Sequence, residues 1–94
     1  MSVATEPLVE AAPPRPLKLP PYAVVLHNDD VNEIARVVQV LVETIRIQLS
    51  DAFESTMEAH NEGASVVCRT HRERAEFLRD KLISRGLIAS IERI

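Results

Sequence analysis

Cysteine, glycine and tryptophan are scarce in this chain of 94 residues, which contains one cysteine, two glycines and no tryptophan. The single cysteine, Cys68, excludes an intramolecular disulfide and any zinc site built from several cysteines. A lone free cysteine fits a reducing compartment. We therefore expect a cytoplasmic protein.

Long hydrophobic runs are also missing. No apolar stretch approaches the roughly 18–20 residues that a membrane-spanning helix requires. Residues 1–16 (MSVATEPLVEAAPPRP) lack the basic start and the apolar centre of a secretion signal. We expect no membrane insertion and no secretion.

Positive charge is not in excess, because the chain has 11 Lys and Arg residues and 14 Asp and Glu residues, which give a net charge of −3. Nucleic acid is therefore not an expected partner, since neutralising phosphates requires a surplus of bases. The charges are unevenly spread: residues 28–62 hold eight acids and two bases, whereas residues 69–93 hold seven bases and four acids. We expect one acidic and one basic side.

Proline is confined to the start of the chain, where all six prolines fall within residues 1–21. This composition predicts a flexible, proline-rich N-terminal arm over residues 1–21. Residues 22–94 then form one small domain, below the usual domain size of roughly 100–150 residues. Such a domain leaves little room for a deep, enclosed active site.

The first half of this domain predicts one strand and two helices. A β-branched run over 23–27 predicts the strand, and Asp30 with Glu33 has the spacing of a capping box for a helix that begins near Val31. Its buried face consists of residues at helical spacing: Ile34, Val37, Val38, Leu41 and Ile45. For the second helix we predict Ser50 as N-cap, an apolar side formed by Phe53 and Met57 and continued by His60, and an end at Gly63.

The second half predicts two further strands around a third helix. Residues 65–69 form the second strand, Thr70 and Glu73 form a capping box, and Gly86 ends the helix before a last strand over 87–94. The buried stripe of this helix is Ala75, Leu78, Leu82 and Ile83. The order βααβαβ indicates an α/β (α+β) two-layer sandwich, with three helices on one face of a three-stranded antiparallel sheet and the other face wet.

Five polar side chains are candidates for chemistry: Asn28, Asp29, Asp30, His60 and Cys68. None of them completes a catalytic signature. Two adjacent aspartates and an amide supply too few oxygen ligands for a hard metal, so no metal site is expected. Cys68 lies among valines of a predicted strand and is expected to act as a small hydrophobic residue.

Two interpretations remain open for Asn28, Asp29, Asp30 and His60. Asn28–Asp30 can be a turn that leads into a helix cap, and His60 can be an ordinary half-buried histidine. Together, however, an amide, a carboxylate and a neutral imidazole are acceptors that suit a primary ammonium group, which offers three donors and no acceptor.

Residues 22–94 closely resemble the ClpS family of adaptors. The most specific pieces are the junction VLHNDD at 25–30 and the segment HNEG at 60–63, which the family pattern spans without gaps. The resemblance implies a small α/β domain that binds the free N-terminus of a substrate protein and delivers it to a Clp-type AAA+ unfoldase for degradation by ClpP. It implies no catalysis and no cofactor.

The resemblance also implies roles for particular residues. Asn28, Asp29 and His60 would hold the substrate α-amino group, and Asp30 would cap the helix and add negative potential. The first side chain of the substrate would enter a pocket formed by Asn32, Ile34, Val37, Thr56, Ala59 and Leu87.

This chain departs from the family pattern in that pocket. Ile34 and Thr56 stand where methionine is common, and Asn32 stands where a small hydroxyl residue is usual. Because Ile34 is branched at Cβ and stiffer than methionine, the pocket mouth should adapt less, while Thr56 and Ala59 leave more room and some polarity. We expect that bulky N-terminal residues (Leu, Phe, Tyr, Trp) stay preferred with a shifted ranking.

The implied partner is the N-terminal domain of a ClpA-like or ClpC-like unfoldase. Glu73 matches the acid that the family uses for this contact, but Leu78 replaces the accompanying lysine. We expect a monomer. Two other functions stay possible: a docking domain resembling the C-terminal domain of the ribosomal stalk protein, which needs no ammonium pocket, and a small hydrolase, for which a positioned nucleophile is missing.

Overall fold

A computed structural model describes residues 21–94 of the chain. The predicted arm, residues 1–21, lies outside the described residues except for Pro21. The elements follow in the predicted order βααβαβ: β1 (Tyr22–His27), α1 (Ile34–Ile45), α2 (Leu49–Glu62), β2 (Ala64–Thr70), α3 (Arg72–Ser84) and β3 (Ala89–Arg93). The predicted α+β fold is therefore confirmed.

The sheet has three antiparallel strands in the order β2-β1-β3, so that β1 is central. Val24 pairs with Cys68 on one side and with Ile91 on the other. A register shift after Val24 marks a bulge in the β1–β2 pair. The far face is not simply wet as predicted, because Ala23 and Val25 are buried as well.

The helices pack their apolar sides against the sheet and enclose one core. Its largest fully buried side chains are Val24, Leu26, Val40, Leu41, Leu78 and Leu82. Val37, Val38, Leu41 and Ile45 of the predicted α1 face are buried, whereas Ile34 keeps 36% of its surface exposed. At the first position of α1, Ile34 is therefore available to line a surface cavity.

The first helix begins at Ile34, three residues later than the predicted start at Val31. The delay has a local cause, because Asp29 accepts hydrogen bonds from the backbone amides of Val31 (2.7 Å) and Asn32 (3.1 Å) and closes a turn there. Glu33 occupies the N-cap position without a side-chain cap bond, and Asp30 is exposed. The predicted Asp30–Glu33 capping box was wrong.

The second helix buries a different side from the one predicted. Its buried residues are Ala52, Thr56 and Ala59, whereas Phe53 is 52% exposed, Met57 is half-buried and His60 is exposed. Helical spacing allows either stripe, and the smaller side chains permit close approach to the sheet and to α1. The helix begins one residue before the predicted N-cap Ser50, with Gln48 at the N-cap position.

The third helix is capped by His71, whose Nδ1 accepts a hydrogen bond from the amide of Arg74 at 3.3 Å. Thr70 belongs to β2, so the predicted Thr70–Glu73 capping box was wrong. Ile83, predicted to be buried, is 50% exposed. Gly86 follows the helix with φ 89°, as predicted for a residue just beyond a helix end.

Candidate functional site

The site is built where β1 ends beside the end of α2. His27 pairs with Ala64, the first residue of β2, and the amide of Asn28 donates to the carbonyl of Gly63 at 2.9 Å. Gly63 ends α2 at φ 97°, a left-handed conformation that turns the chain directly into β2. The last turn of α2, with His60, is thereby held next to the loop that follows β1.

A cavity of about 440 Å³ opens at this junction. It falls within the range of roughly 300–1,000 Å³ typical of small-ligand sites. Ten residues singled out from the sequence line it: Asn28, Asp29, Asp30, Asn32, Ile34, Val37, Thr56, Ala59, His60 and Leu87. The fold therefore gathers in one cavity residues from two loops and from both α1 and α2.

Several lining residues carry polar groups, and Asn28, Asp29 and His60 form what is called the polar rim of the cavity. Asn28 and His60 are exposed, and Asp29 is half-buried. The amide oxygen of an asparagine and an unprotonated imidazole nitrogen are both hydrogen-bond acceptors. Each can therefore accept an N–H hydrogen from a cationic ligand. The carboxylate of Asp29 adds a negative charge to this rim.

The Asp29 carboxylate is held by three donors from its own loop. One oxygen accepts the amides of Val31 and Asn32, and the other accepts the side-chain amide of Asn32 at 2.6 Å. These hydrogen bonds, that of the Asn32 side chain first, lower the pKa of Asp29 despite its partial burial. A carboxylate has about four acceptor positions, so about one remains for a ligand.

A second group of lining residues, the apolar wall, carries mostly apolar side chains. Val37, Ala59 and Leu87 are buried, with exposed fractions of 5%, 2% and 4%. Thr56 is buried too, but its hydroxyl donates to the Ala52 carbonyl at 2.8 Å, so the expected polarity is satisfied within α2. A hydrophobic side chain can therefore occupy this wall without leaving an unpaired donor.

Some lining residues were missed from the sequence, notably Leu26, His27, Val31 and Glu33. Their position next to Asn28–Asp30 and Asn32 in the chain was the available signal. Conversely, Glu73 lies in the first turn of α3 and does not line the cavity. Cys68 lies half-buried against the core, and this burial raises the pKa of its thiol.

Residues 21–94 contain no group of three or more His, Cys, Asp or Glu side chains that could hold a metal ion. Within the same range, no helix is both long and apolar enough to cross a membrane. The cavity itself offers hydrogen-bonding groups, negative charge and apolar contact.

The fold and the cavity define a small α+β binding domain with an apolar pocket and an acidic, hydrogen-bonding rim. The sequence model of the family described as ATP-dependent Clp protease adaptor protein ClpS matches residues 18–89. The chain therefore belongs to the ClpS family of ATP-dependent Clp protease adaptor proteins, and the resemblance noted in the sequence is confirmed.

Individual relatives agree with this assignment. The chain is 43% identical over 74 residues to the ClpS adapter protein of Synechococcus elongatus, covering 78% of each protein. It is 39% identical over 74 residues to a chloroplastic Clp protease adapter protein of Arabidopsis thaliana, covering 78% of this chain and 46% of that protein. The structure of Agrobacterium tumefaciens ClpS2 bound to L-phenylalaninamide is similar with a TM-score of 0.79 and 26% identity, covering 82% of this chain and all of that one.

Proposed function

We propose that this protein binds the free N-terminus of substrate proteins that begin with a bulky hydrophobic residue. It then delivers them to a Clp-type AAA+ unfoldase for degradation by ClpP. The observation that carries the proposal is the cavity itself, whose lining combines Asn28, Asp29 and His60 of the polar rim with the apolar wall. Relatives of the chain are named adaptor proteins, which supports a role without catalysis.

The rim suits an α-ammonium group because such a group is charged and has three hydrogens to donate. Asp29 supplies an opposite charge, and Asn28 and His60 supply further acceptors. Asp30, which does not cap α1, contributes negative potential at the cavity mouth. An acetylated N-terminus has no charge and one N–H, so it leaves most of these acceptors without a partner.

The apolar wall suits the first side chain of the substrate. L-Phenylalaninamide, the ligand of the similar Agrobacterium structure, combines a free α-amino group with an aromatic side chain. We infer that Leu, Phe, Tyr and Trp are the preferred first residues here. Val37, Thr56, Ala59 and Leu87 would contact that side chain, with Asn32 and Ile34 nearer the mouth.

The ranking among these residues should depend on Ile34. Its Cβ branch restricts its rotamers, so the mouth cannot reshape itself around large side chains as an unbranched residue could. We therefore expect a narrower range of accepted first residues than with methionine at this position. A peptide series that differs only at its first residue measures this range, and equal affinity across the series would contradict it.

Delivery requires a second surface, and we propose Glu73 as part of it. Glu73 is exposed in the first turn of α3 and is free of the capping role predicted for it, since His71 caps that helix. A monomeric adaptor could then hold a substrate at the cavity and an unfoldase at α3. The test is degradation by a ClpA-like or ClpC-like unfoldase with ClpP of a reporter protein that begins with Leu. Glu73→Ala should slow this reaction and leave peptide binding unchanged.

The decisive experiment for binding is fluorescence anisotropy with a labelled peptide that begins with a free Leu, compared with the same peptide N-acetylated. We expect strong preference for the free amine. His60→Ala should weaken its binding by about ten- to a hundredfold, the equivalent of one hydrogen bond to a charged group.

The matched control is Asn61→Ala, which changes the adjacent exposed residue of α2 outside the cavity lining. It should bind like the unchanged protein. Equal binding of both peptides, or an unaffected His60→Ala variant, would refute the ammonium site. If His60→Ala instead unfolds the domain, the histidine has a structural role.

A further inference from the structure

Asp29 is joined to a chain of hydrogen bonds that the family resemblance did not assign. The Asn32 side-chain amide donates to Asp29 at 2.6 Å and to the carbonyl of Gly86 at 2.9 Å. Its oxygen accepts from Nε of Arg36 at 3.0 Å. Both N–H donors of this amide and its oxygen are therefore hydrogen-bonded within the protein.

Arg36 is one of three partners that fix which way the Asn32 amide points. An arginine side chain can only donate, so the amide oxygen must face Arg36. The NH₂ group is then directed at the two acceptors, the Asp29 carboxylate and the Gly86 carbonyl. Arg36 also donates to the carbonyl of Arg85, so it is tied to the turn between α3 and β3.

That turn is held from a second side as well. Arg85 forms an ion pair with Glu43 of α1 at 2.9 Å, and Leu87 of the apolar wall follows two residues after Arg85. The network thus links α1, the Asp29 loop and the turn that carries Leu87. Arg36 itself is exposed and lies outside the residues that line the cavity.

We propose that Arg36 and Asn32 are positioning residues that hold the Asp29 carboxylate in the orientation that receives the substrate ammonium group. This inference rests on the proposed function of the cavity. Arg36 acts through Asn32 and does not touch the ligand. The hydrogen bond from Asn32, which is also the largest cause lowering the pKa of Asp29, is the contact through which Arg36 acts.

The positive charge of Arg36 and its positioning role predict opposite effects of its removal on peptide binding, so a substitution of Arg36 distinguishes between them. A guanidinium group near the rim repels a substrate ammonium, so its removal would strengthen binding if Arg36 acted only as a charge. If Arg36 positions Asn32 and Asp29, its removal weakens binding. Arg36→Met removes the charge and every donor while keeping a long unbranched side chain that favours helix.

The experiment measures anisotropy with the free and N-acetylated Leu peptides for the unchanged protein, Arg36→Met, Arg36→Lys and the control Arg79→Met. Arg79 pairs with Asp80 on α3 and lies outside the cavity lining. Arg36→Met should weaken free-amine binding by about three- to tenfold, the equivalent of one ordinary hydrogen bond, and leave acetylated-peptide binding unchanged. Arg36→Lys, which keeps a donor, should recover part of the loss, and Arg79→Met should bind normally.

Tighter or unchanged binding by Arg36→Met would overturn the proposal. So would a lower melting temperature with an unchanged ratio of free to acetylated affinity, which indicates a purely structural role. The ¹³C signal of the Asp29 carboxyl group, recorded without peptide, should shift in Arg36→Met and remain in place in Arg79→Met. If the unchanged protein binds both peptides alike, the proposed function has failed, and the Asp29 signal still shows whether Arg36 orients the carboxylate.

Discussion

Asp29 closes a turn in this structure and is proposed to bind the substrate ammonium group, and two substitutions can separate these two roles. One oxygen closes the turn before α1 by accepting the amides of Val31 and Asn32, and the carboxylate charge lies on the cavity rim. Asp29→Asn can keep the acceptor that closes the turn but removes the charge. Asp29→Ala removes both. We therefore expect the two variants to bind peptide equally poorly and to differ in stability.

The magnitudes follow from the contacts that each variant loses. Removing the charged acceptor should weaken free-amine binding by about ten- to a hundredfold in both variants. The turn contacts resemble those of a helix N-cap, whose loss costs about 0.5–2 kcal/mol of unfolding free energy. Asp29→Ala should therefore lower the melting temperature, by about 4–8 °C for each kcal/mol in a domain of this size. The decrease in melting temperature for Asp29→Asn should be less than half of the decrease for Asp29→Ala.

Two measurements check this prediction: anisotropy with the free-Leu peptide and thermal unfolding followed by circular dichroism. Binding by Asp29→Asn at the level of the unchanged protein would refute the role of the charge. Equal melting temperatures for the two variants would refute the role of the turn. Asp80→Asn is the matched control, because it makes the same charge change at an exposed residue of α3 outside the cavity lining.

Three further predictions concern stability. Gly63→Ala should cost about 1–2 kcal/mol of unfolding free energy, because a Cβ there meets nothing within 4 Å but φ is 97°; denaturant titration checks this, and an unchanged midpoint would contradict it. Leu41→Ala should cost about 2–5 kcal/mol in the same titration, because Leu41 is fully buried. The third prediction concerns pH: hydrogen bonds lower the pKa of Asp29 in the folded state below its unfolded value of about 3.9. The stability that the ionised Asp29 contributes is therefore fully present above the unfolded pKa and is lost as the pH falls from there through the folded pKa. The difference in unfolding free energy between the unchanged protein and Asp29→Ala, measured by denaturant titration at a series of pH values, should therefore shrink as the pH falls through the folded pKa of Asp29, and a difference that stays constant would contradict this.

Much of the fold could be predicted because the signals are local. The run of valines in β1 and the glycines after α2 and α3 predict the elements through residues that are neighbours in the chain. The acceptor chemistry at Asn28, Asp29 and His60 could likewise be listed from residue types. Their roles in binding stay a prediction, although the fold brings all three to one cavity.

Helix starts were less predictable, since each of them depends on competition between several possible caps. Asp29 closes a turn that delays α1, and His71 caps α3 with its ring nitrogen in place of Thr70. These alternatives differ by single hydrogen bonds of similar strength. A capping-box spacing alone could not decide between them.

The sequence by itself determined the order of the elements, the ends of α2 and α3 and the residue types available for a polar rim, because periodicity, proline and glycine act over a few residues. Only the tertiary structure decided that α2 buries Ala52 and Ala59 and exposes Phe53. It also decided that Arg36 reaches Asp29 through Asn32. Both outcomes depend on which surfaces approach each other across the fold, and that choice depends on packing and hydrogen bonds between residues far apart in the chain.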